Sequence, residues 1–417
     1  MIKAPKLSND CFSLPQGINW TPVDDALKLL QQRLNTVVEI ETIPVQMSDG
    51  RTLASAVEAI ISNPPFKNSA VDGYAFKGGL SAGQHCFSLI GGRSVAGTSF
   101  AGIVGATEAL RILTGAPLPL GTDTIVLEED VLVEGSNLYV NGPLRQGSNA
   151  RQEGEDVLGG SELFATGHRI QPQDIGRLIS VGVSEVAVFR PLRVAIVSTG
   201  SELCEPGSIL QPEQIFDANR PMLQAMLKRW GMDVVDIGIV PDDAALVRRA
   251  LNDAASQADV VITSAGASAG DEDYVSASLK SAGNMSLWRI AVKPGRPLAL
   301  GMWNGVPVFG LPGNPVAAFV CTLIFVRPSL MQLAGAGFIL PEPLMLPAAF
   351  SKTKKAGRRE YLRARRQGEA IETFASEGSG RISGLSWADG LVELPDEALE
   401  ITPGISVNYF PYSSFGL

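Results

Sequence analysis

Between residues 191 and 335 the apolar positions switch regularly between two periods. Residues 193–197 form a short apolar run that ends in Ser198-Thr199-Gly200 and reads as a buried strand. Met222, Leu223, Met226, Leu227 and Trp230 then recur at helical spacing. Residues 234–240 read as a second strand. Leu246, Val247, Ala250, Leu251 and Ala254 give a second helical face. Residues 260–263 are a third strand, followed by a loop of small residues and a short helix. Two more apolar strands, 297–300 and 306–311, precede a helix over 315–326. Strands alternating with helices predict a largely parallel, doubly wound α/β sheet.

The rest of the chain is patterned differently. Val23, Ala26, Leu27, Leu29, Leu30 and Leu34 predict a helix over 22–34. Residues 61–149 are β-rich, with strands at 124–127 and 137–140 and the turn signal Glu134-Gly-Ser-Asn137 between them. From 150 to 190 the pattern is mixed again, with many glycines. Residues 336–417 read as short strands without helical periodicity, hence a small β-barrel or sandwich. The expected fold is therefore α/β plus β in several domains. Residues 1–60 and 150–190 form a mixed linking domain, 61–149 a β-rich domain, 191–335 the α/β domain and 336–417 the barrel. No internal repeat is visible.

Composition narrows the class. With 417 residues, 45% of them hydrophobic, the chain is globular and too long for one core. Its net charge of −9 disfavours a general nucleic-acid binder and requires that cations for any anionic ligand be gathered locally. The first 16 residues include Lys3, Lys6, Asn9 and Asp10 and lack the apolar stretch of a secretion signal. The apolar run 316–326 is too short to span a bilayer. Cys11, Cys86, Cys204 and Cys321 have no paired spacing, and His85 and His168 are the only histidines. Together these predict a cytoplasmic protein without a zinc site or membrane span.

Six sets of residues could carry chemistry. The loop from Ser264 to Asp273 contains Ala265, Gly266 and Gly270, residues small enough for a ligand to approach the backbone at a helix N-terminus. A tight turn with acidic caps explains it equally well. Pro312, Gly313 and Asn314 form a second strand-to-helix corner, where Asn314 as N-cap and Pro315 as the first helical residue are sufficient in themselves. Arg289 and Lys293 would share a face of an extended chain, and with Arg296 could hold a phosphate or oxyanion; a solvated basic edge is the plainer reading. Glu202, Asp242 and Asp273 fall at strand ends, and oxygen ligands of that kind suit Mg²⁺, although helix capping explains any one of them. Asn68–Ala75, which fits no ordinary strand or helix, and the charged Arg151–Asp156 complete the set; each is also explicable as a surface turn.

Taken in order, these stretches resemble the molybdopterin molybdenumtransferases, the family that includes the C-terminal part of gephyrin-type proteins. The matching pieces begin with Asn63-Pro-Pro-Phe, Ser69-Ala-Val-Asp-Gly-Tyr-Ala75, Arg111-Ile-Leu-Thr-Gly-Ala-Pro117 and Gly154-Glu-Asp156. They continue through Ser198-Thr-Gly-Ser-Glu-Leu203, Ile215-Phe-Asp-Ala-Asn219 and Pro241-Asp-Asp243. They end with Ser264-Ala-Gly266, Gly270, Asp273-Tyr274, Lys293-Pro-Gly-Arg-Pro297 and Gly310-Leu-Pro-Gly-Asn-Pro315. The family usually has glycine where Ala265 stands, valine where Ala267 and Ala269 stand, Asp where Ser201 stands, Met where Val71 stands and Lys where Arg296 stands.

The resemblance implies four domains, an elongated homodimer and a site between subunits. It implies an enzyme that inserts molybdenum from molybdate into adenylyl-molybdopterin, with AMP released and Mg²⁺ assisting. Glu202, Asp242 and Asp273 would hold the metal. Arg289, Lys293 and Arg296 would bind oxyanion or phosphate oxygens, with Arg358 reaching in from the last domain and Ser383 a weaker candidate there. Asp72, Thr114 and Asp156 of the other subunit would position the reactants. Ser198, Thr199, Gly200, Ser264, Gly266, Gly270, Pro312, Gly313 and Asn314 would line the pterin site. Apo-molybdoenzymes or the preceding adenylyltransferase are the implied protein partners. Three alternatives stay open: a non-catalytic molybdopterin-binding or scaffold paralogue, the adenylyltransferase itself, and an unrelated nucleotide-dependent enzyme on the same fold.

Overall fold

The computed structural model describes residues 20–265, 274–282, 285–295 and 297–417, with backbone alone for 285–289 and 297. The chain forms two compact units, 42–188 and a larger one built from the N-terminal residues to 41 together with 189–417.

In the larger unit a six-stranded sheet runs in the order Asp233–Val240, Arg193–Thr199, Val260–Ser264, Val306–Leu311, Pro297–Trp303, Met285–Arg289. The first four strands are mutually parallel, and each of the last two pairs antiparallel to the strand before it. Successive side chains of a strand face opposite sides. Val194, Ile196, Val260 and Ile262 accordingly enter one core, and Ala195, Val197 and Val261 the other. Both faces are covered, which is why these strands read as continuous apolar runs. Met226 and Leu227 of Asn219–Arg229 pack on the first face, and Val247 and Leu251 of Ala244–Gln257 on the second.

The helix that begins at Pro315 runs to Leu333, past the expected end at 326. Pro328 lacks the N–H that a regular turn needs, and the preceding turn, Thr322–Val326, is widened into a π-helical one. Arg327, which looks like a helix stop, is buried and donates from Nε to the Phe415 carbonyl at 2.9 Å. Among the described residues this is the one helix long and apolar enough to cross a membrane, and it is 94% buried in the core. The N-terminal helix, Val23–Arg33, buries Val23, Ala26, Leu27 and Leu30 in the same core.

The C-terminal part is a sheet in the order Val292–Lys293, Arg359–Gln367, Gly390–Leu394, Ser406–Pro411, Leu344–Pro347, with Ala370–Thr373 paired to Arg359–Gln367. A single bridge between Ala348 and Ile371 links the far ends of this run. It also contains a short helix, Ser383–Trp387, where the pattern predicts strands alone.

Unit 42–188 has its own six-stranded sheet, in the order Thr124–Leu127, Gly73–Phe76, Glu108–Ile112, Leu80–Ser94, Asn137–Leu144, Val131–Glu134. The turn at Gly135 and Ser136 joins the last two strands named, so it does not connect 124–127 directly to 137–144 as the pattern implies. Asn68–Ala75 is also more regular than its composition indicates. Asn68–Ser69 and the start of Gly73–Phe76 are both strands. Gly73 is required there, because a Cβ would lie 1.9 Å from the Val126 carbonyl oxygen.

Candidate functional site

The parallel strands of the larger unit deliver their carboxyl ends to one edge. Ser198 and Thr199, buried, end one strand, and Gly200 turns the chain so that Glu202 folds back over it. A Cβ on Gly200 would meet the Glu202 carboxylate at 2.6 Å. On the neighbouring strand Asp242 and Asp243 divide their work. The Asp243 side chain caps the next helix by accepting from Ala245 and Leu246 N–H groups. Asp242 instead faces the Ser201 turn: its Oδ2 accepts from Ser201 N at 3.0 Å, and its own N–H donates to Ser201 Oγ at 3.1 Å. Ser201, standing where the resembled family usually has Asp, thus takes part in a reciprocal pair. Two exposed or half-exposed carboxylates, Glu202 and Asp242, therefore sit at adjacent strand ends. Oxygen donors of this kind fit Mg²⁺. Among the described residues no third ligating group joins them; Asp273 lies outside those residues, as do Gly266, Gly270 and Arg296.

Two strand-to-helix loops complete this edge, and Asn219 ties them together. Its amide nitrogen donates to Ser264 Oγ at 2.9 Å and to the Gly313 carbonyl at 2.8 Å. A carbonyl can only accept, so the Asn219 Oδ1 must point away from it. That Oδ1 is buried without a partner, and so are Ser198 Oγ and Asn314 Oδ1. Buried polar atoms are normally paired, so these three at the ends of one sheet are open to a ligand or to water. Ala265 holds a left-handed backbone, φ +71°, a conformation that costs a residue with a Cβ; Thr263 Oγ1 donates to its carbonyl at 2.9 Å. Asn219 was not singled out from the sequence by its chemistry, although it ends the Ile215-Phe-Asp-Ala-Asn219 stretch.

Arg289 and Lys293 do not share an extended strand. Arg289 ends the edge strand of the α/β sheet, whereas Lys293 pairs with Glu360 in the C-terminal sheet. Between them Ile290 leaves the first sheet and bridges to Thr21, because its buried side chain is drawn into the core. Lys293 instead joins Arg358 in lining a cavity of about 460 Å³, with Trp20, Lys352, Lys355 and Glu360 also in its wall. The Arg358 guanidinium lies 5.9 Å from the Trp20 ring centre. Ser383 is exposed and does not line this cavity. Two residues beyond Lys293 the chain reaches the Gly313 loop: a Cβ at Gly295 would lie 3.7 Å from Pro312 Cγ. Lys352 and Lys355 went unread, although the run Lys352-Thr-Lys-Lys355 is a visible cluster of cations.

In unit 42–188 two of the predicted residues, Asp72 and Thr114, meet directly. Asn68–Ser69 pairs with Ala150–Arg151, and the Gly115 N–H donates to the Ser69 carbonyl, so three segments meet. Asp72 Oδ1 accepts from both the N–H and the hydroxyl of Thr114, each at 2.7 Å. These bonds hold its carboxyl below the ordinary carboxylate range, with Arg111 adding a smaller attraction. Asp156 accepts from Asn63 Nδ2 at 3.1 Å. Asp72, Thr114 and Asp156 are all exposed.

The strand ends with their orphaned polar atoms, together with the basic cavity, define an α/β protein with places for polar and anionic groups, and comparison with known proteins gives its family. Residues 195–332 match the family model described as a probable molybdopterin binding domain. Residues 21–182 match the MoeA N-terminal region, domains I and II, and 346–412 the MoeA C-terminal region, domain IV. The chain belongs to the molybdopterin molybdenumtransferase family. It is 34% identical to the molybdopterin molybdenumtransferase of Haemophilus influenzae, covering 94% of this chain and 98% of the relative. It is 33% identical to molybdopterin molybdenumtransferase 2 of Mycobacterium tuberculosis, covering 87% and 93%. The crystal structure of a molybdopterin biosynthesis MoeA protein from Pyrococcus horikoshii superposes with a TM-score of 0.80 at 28% identity, over 94% of this chain and 99% of that one.

Proposed function

We propose that the chain inserts molybdenum from molybdate into adenylyl-molybdopterin and releases AMP. The observation that carries this reading is the juxtaposition of three orphaned buried polar atoms, Ser198 Oγ, Asn219 Oδ1 and Asn314 Oδ1, with a cavity walled by Lys293, Lys352 and Arg358. The orphans would pair with the polar edge of the pterin on the loops of Ser264 and Gly313. The cations would take the oxyanion, supplying charge-assisted bonds to its oxygens. Glu202 and Asp242, with Asp273, would hold Mg²⁺, which when bound offsets negative charge on the departing phosphate. Ser201 would keep Asp242 in place. Asp72, Thr114 and Asp156 of a second copy would position the reactants; Asp72 is suited to that by a carboxylate kept ionised by Thr114.

The test is to incubate the purified protein with adenylyl-molybdopterin, Mg²⁺ and molybdate and to follow AMP by chromatography. AMP release that depends on molybdate is the expected result. Tight pterin binding without AMP would make the chain a non-catalytic binding paralogue, and no binding at all would end the proposal.

A further inference from the structure

Four ionised side chains meet at the inner wall of the basic cavity. Lys293 Nζ lies 2.6 Å from Glu377 Oε2 and 3.5 Å from Glu360 Oε1. Lys352 Nζ contacts the other Glu377 oxygen and lies 3.2 Å from Glu360 Oε2. Glu377 thus bridges the two ammonium groups. Burial works against its ionisation, but the two lysines outweigh that and hold its carboxyl below the ordinary range.

The two carboxylates differ in how they are held. Glu360 sits within the strand Arg359–Gln367 and its side chain is 12% exposed. Glu377 is 43% exposed and belongs to the irregular chain between Ala370–Thr373 and Ser383–Trp387. Its backbone is nevertheless fixed: Arg363, itself buried, donates to the carbonyls of Ser376, Gly378 and Arg381 on either side. What can move is therefore the Glu377 side chain, about its own χ angles, while the loop stays in place. The same loop passes the pterin-facing corner, since a Cβ at Gly380 would lie 3.9 Å from Asn314 Nδ2.

We propose that Glu377 is an internal stand-in for the oxyanion, its carboxylate occupying the place between Lys293 and Lys352 that the substrate takes by turning it out. This rests on the oxyanion-site reading given above. With Glu377 in, two lysines face two carboxylates and the inner wall is neutral, so an arriving anion gains little there. With Glu377 turned into solvent the wall carries one net positive charge, beside Lys355 and Arg358 in the same cavity. Glu377 already bridges both lysines, so a monoanion gains nothing by replacing it. A tetrahedral dianion brings more charge and more acceptor oxygens and displaces it. Glu377 thereby gives the two partly buried ammonium groups a second carboxylate beside Glu360 and raises selectivity for doubly charged oxyanions.

The experiment is calorimetric titration of molybdate into the full-length protein and into Glu377→Gln, Glu377→Ala and Lys352→Ala, at fixed ionic strength, with thermal unfolding recorded for each. The expected result is that both Glu377 variants bind molybdate about tenfold more tightly, and bind chloride or nitrate measurably, while Lys352→Ala loses molybdate. Unchanged or weaker molybdate binding in both Glu377 variants, with Lys352→Ala still defective, would overturn the role of Glu377 and leave the oxyanion site standing. Wild-type affinity in Lys352→Ala would remove the oxyanion site itself, and the proposal with it. If Glu377→Gln did not fold, Glu377→Ala would decide the matter.

Discussion

The carboxylate of Asp72 receives two hydrogen bonds from one residue, Thr114, whose backbone N–H and hydroxyl both reach Oδ1 at 2.7 Å. A hydroxyl so placed favours the ionised form of the acid it serves. Thr114→Val removes the hydroxyl bond and leaves the backbone one. The Asp72 pKa then rises toward its ordinary value. The acid limb of a pH profile of AMP release should move to higher pH, and kcat/KM near that limb should fall. An acid limb at the wild-type pH would show that Asp72 has no part in the rate.

Gly73 leaves no room for a side chain. Because a Cβ would sit 1.9 Å from the Val126 carbonyl oxygen, Gly73→Ala must separate two paired strands of the 42–188 sheet. Destabilisation of about 3 kcal/mol or more is expected, read as loss of the unit's cooperative unfolding transition. A variant that melts like the wild type would mean the sheet adapts.

Arg220 is buried and surrounded by acids, with Asp217 Oδ2 at 3.1 Å, Asp236 at 2.6 Å and Glu205 beside it. Removing Arg220 strands the buried Asp217, while Asp236 and Glu205, 43% and 59% exposed, turn to water. Arg220→Ala should cost about 3 kcal/mol in denaturant unfolding and loosen the turn that leads to Asn219. If the cost were under about 1 kcal/mol, the range of an exposed pair, the network would be behaving as a solvated one.

Ala265 stands in the left-handed region at φ +71°. Its methyl group costs about 1 kcal/mol there, against a smaller loss from the added chain freedom of glycine. Ala265→Gly is therefore expected to stabilise the protein by a few tenths of a kcal/mol or more, with AMP release undiminished. A destabilised variant would show that the methyl packs usefully, and the 3.4 Å separation from a Cβ built on Gly313 is where to look.

Asp259 accepts from Arg190 at 2.7 and 2.9 Å and from Arg193 N–H at 2.9 Å. Burial opposes its ionisation, yet these donors pull its pKa from 3.8 down to about 2. A depressed folded-state pKa contributes stability that is present above the unfolded value and lost as pH falls through the folded one. About 2 kcal/mol should therefore disappear between roughly pH 4 and pH 2. Asp259→Asn should flatten that part of the stability curve; a slope unchanged by the substitution would place the acid sensitivity elsewhere.

Much of the α/β sheet is legible because its physics is local. Strands such as 193–199 and 260–264 are apolar throughout since both faces are covered, and the helices between them keep a single apolar stripe. Motif residues at strand ends, Ser198, Asp242 and Ser264, are predictable for the same reason, because the topology sends them all to one edge. Arg289 and Lys293 do not lie on one continuous strand as their spacing implies, because Ile290 between them is buried. Helix 315–333 outruns its pattern because Arg327, polar in sequence, finds the Phe415 carbonyl in the core.

The sequence by itself determined the alternation of strands and helices, the small loops at Ser264 and Gly313, and the shortage of histidine and cysteine that points to oxygen and cationic chemistry. Only the tertiary structure decided that Asn219 bridges two loops, that Asp242 pairs with Ser201 while Asp243 caps a helix, and that Lys293 meets Lys352, Glu360 and Glu377. Periodicity records which face of an element avoids water. Side chains from elements far apart in sequence meet only when those faces pack, and their hydrogen bonds and charges take values set by that packing.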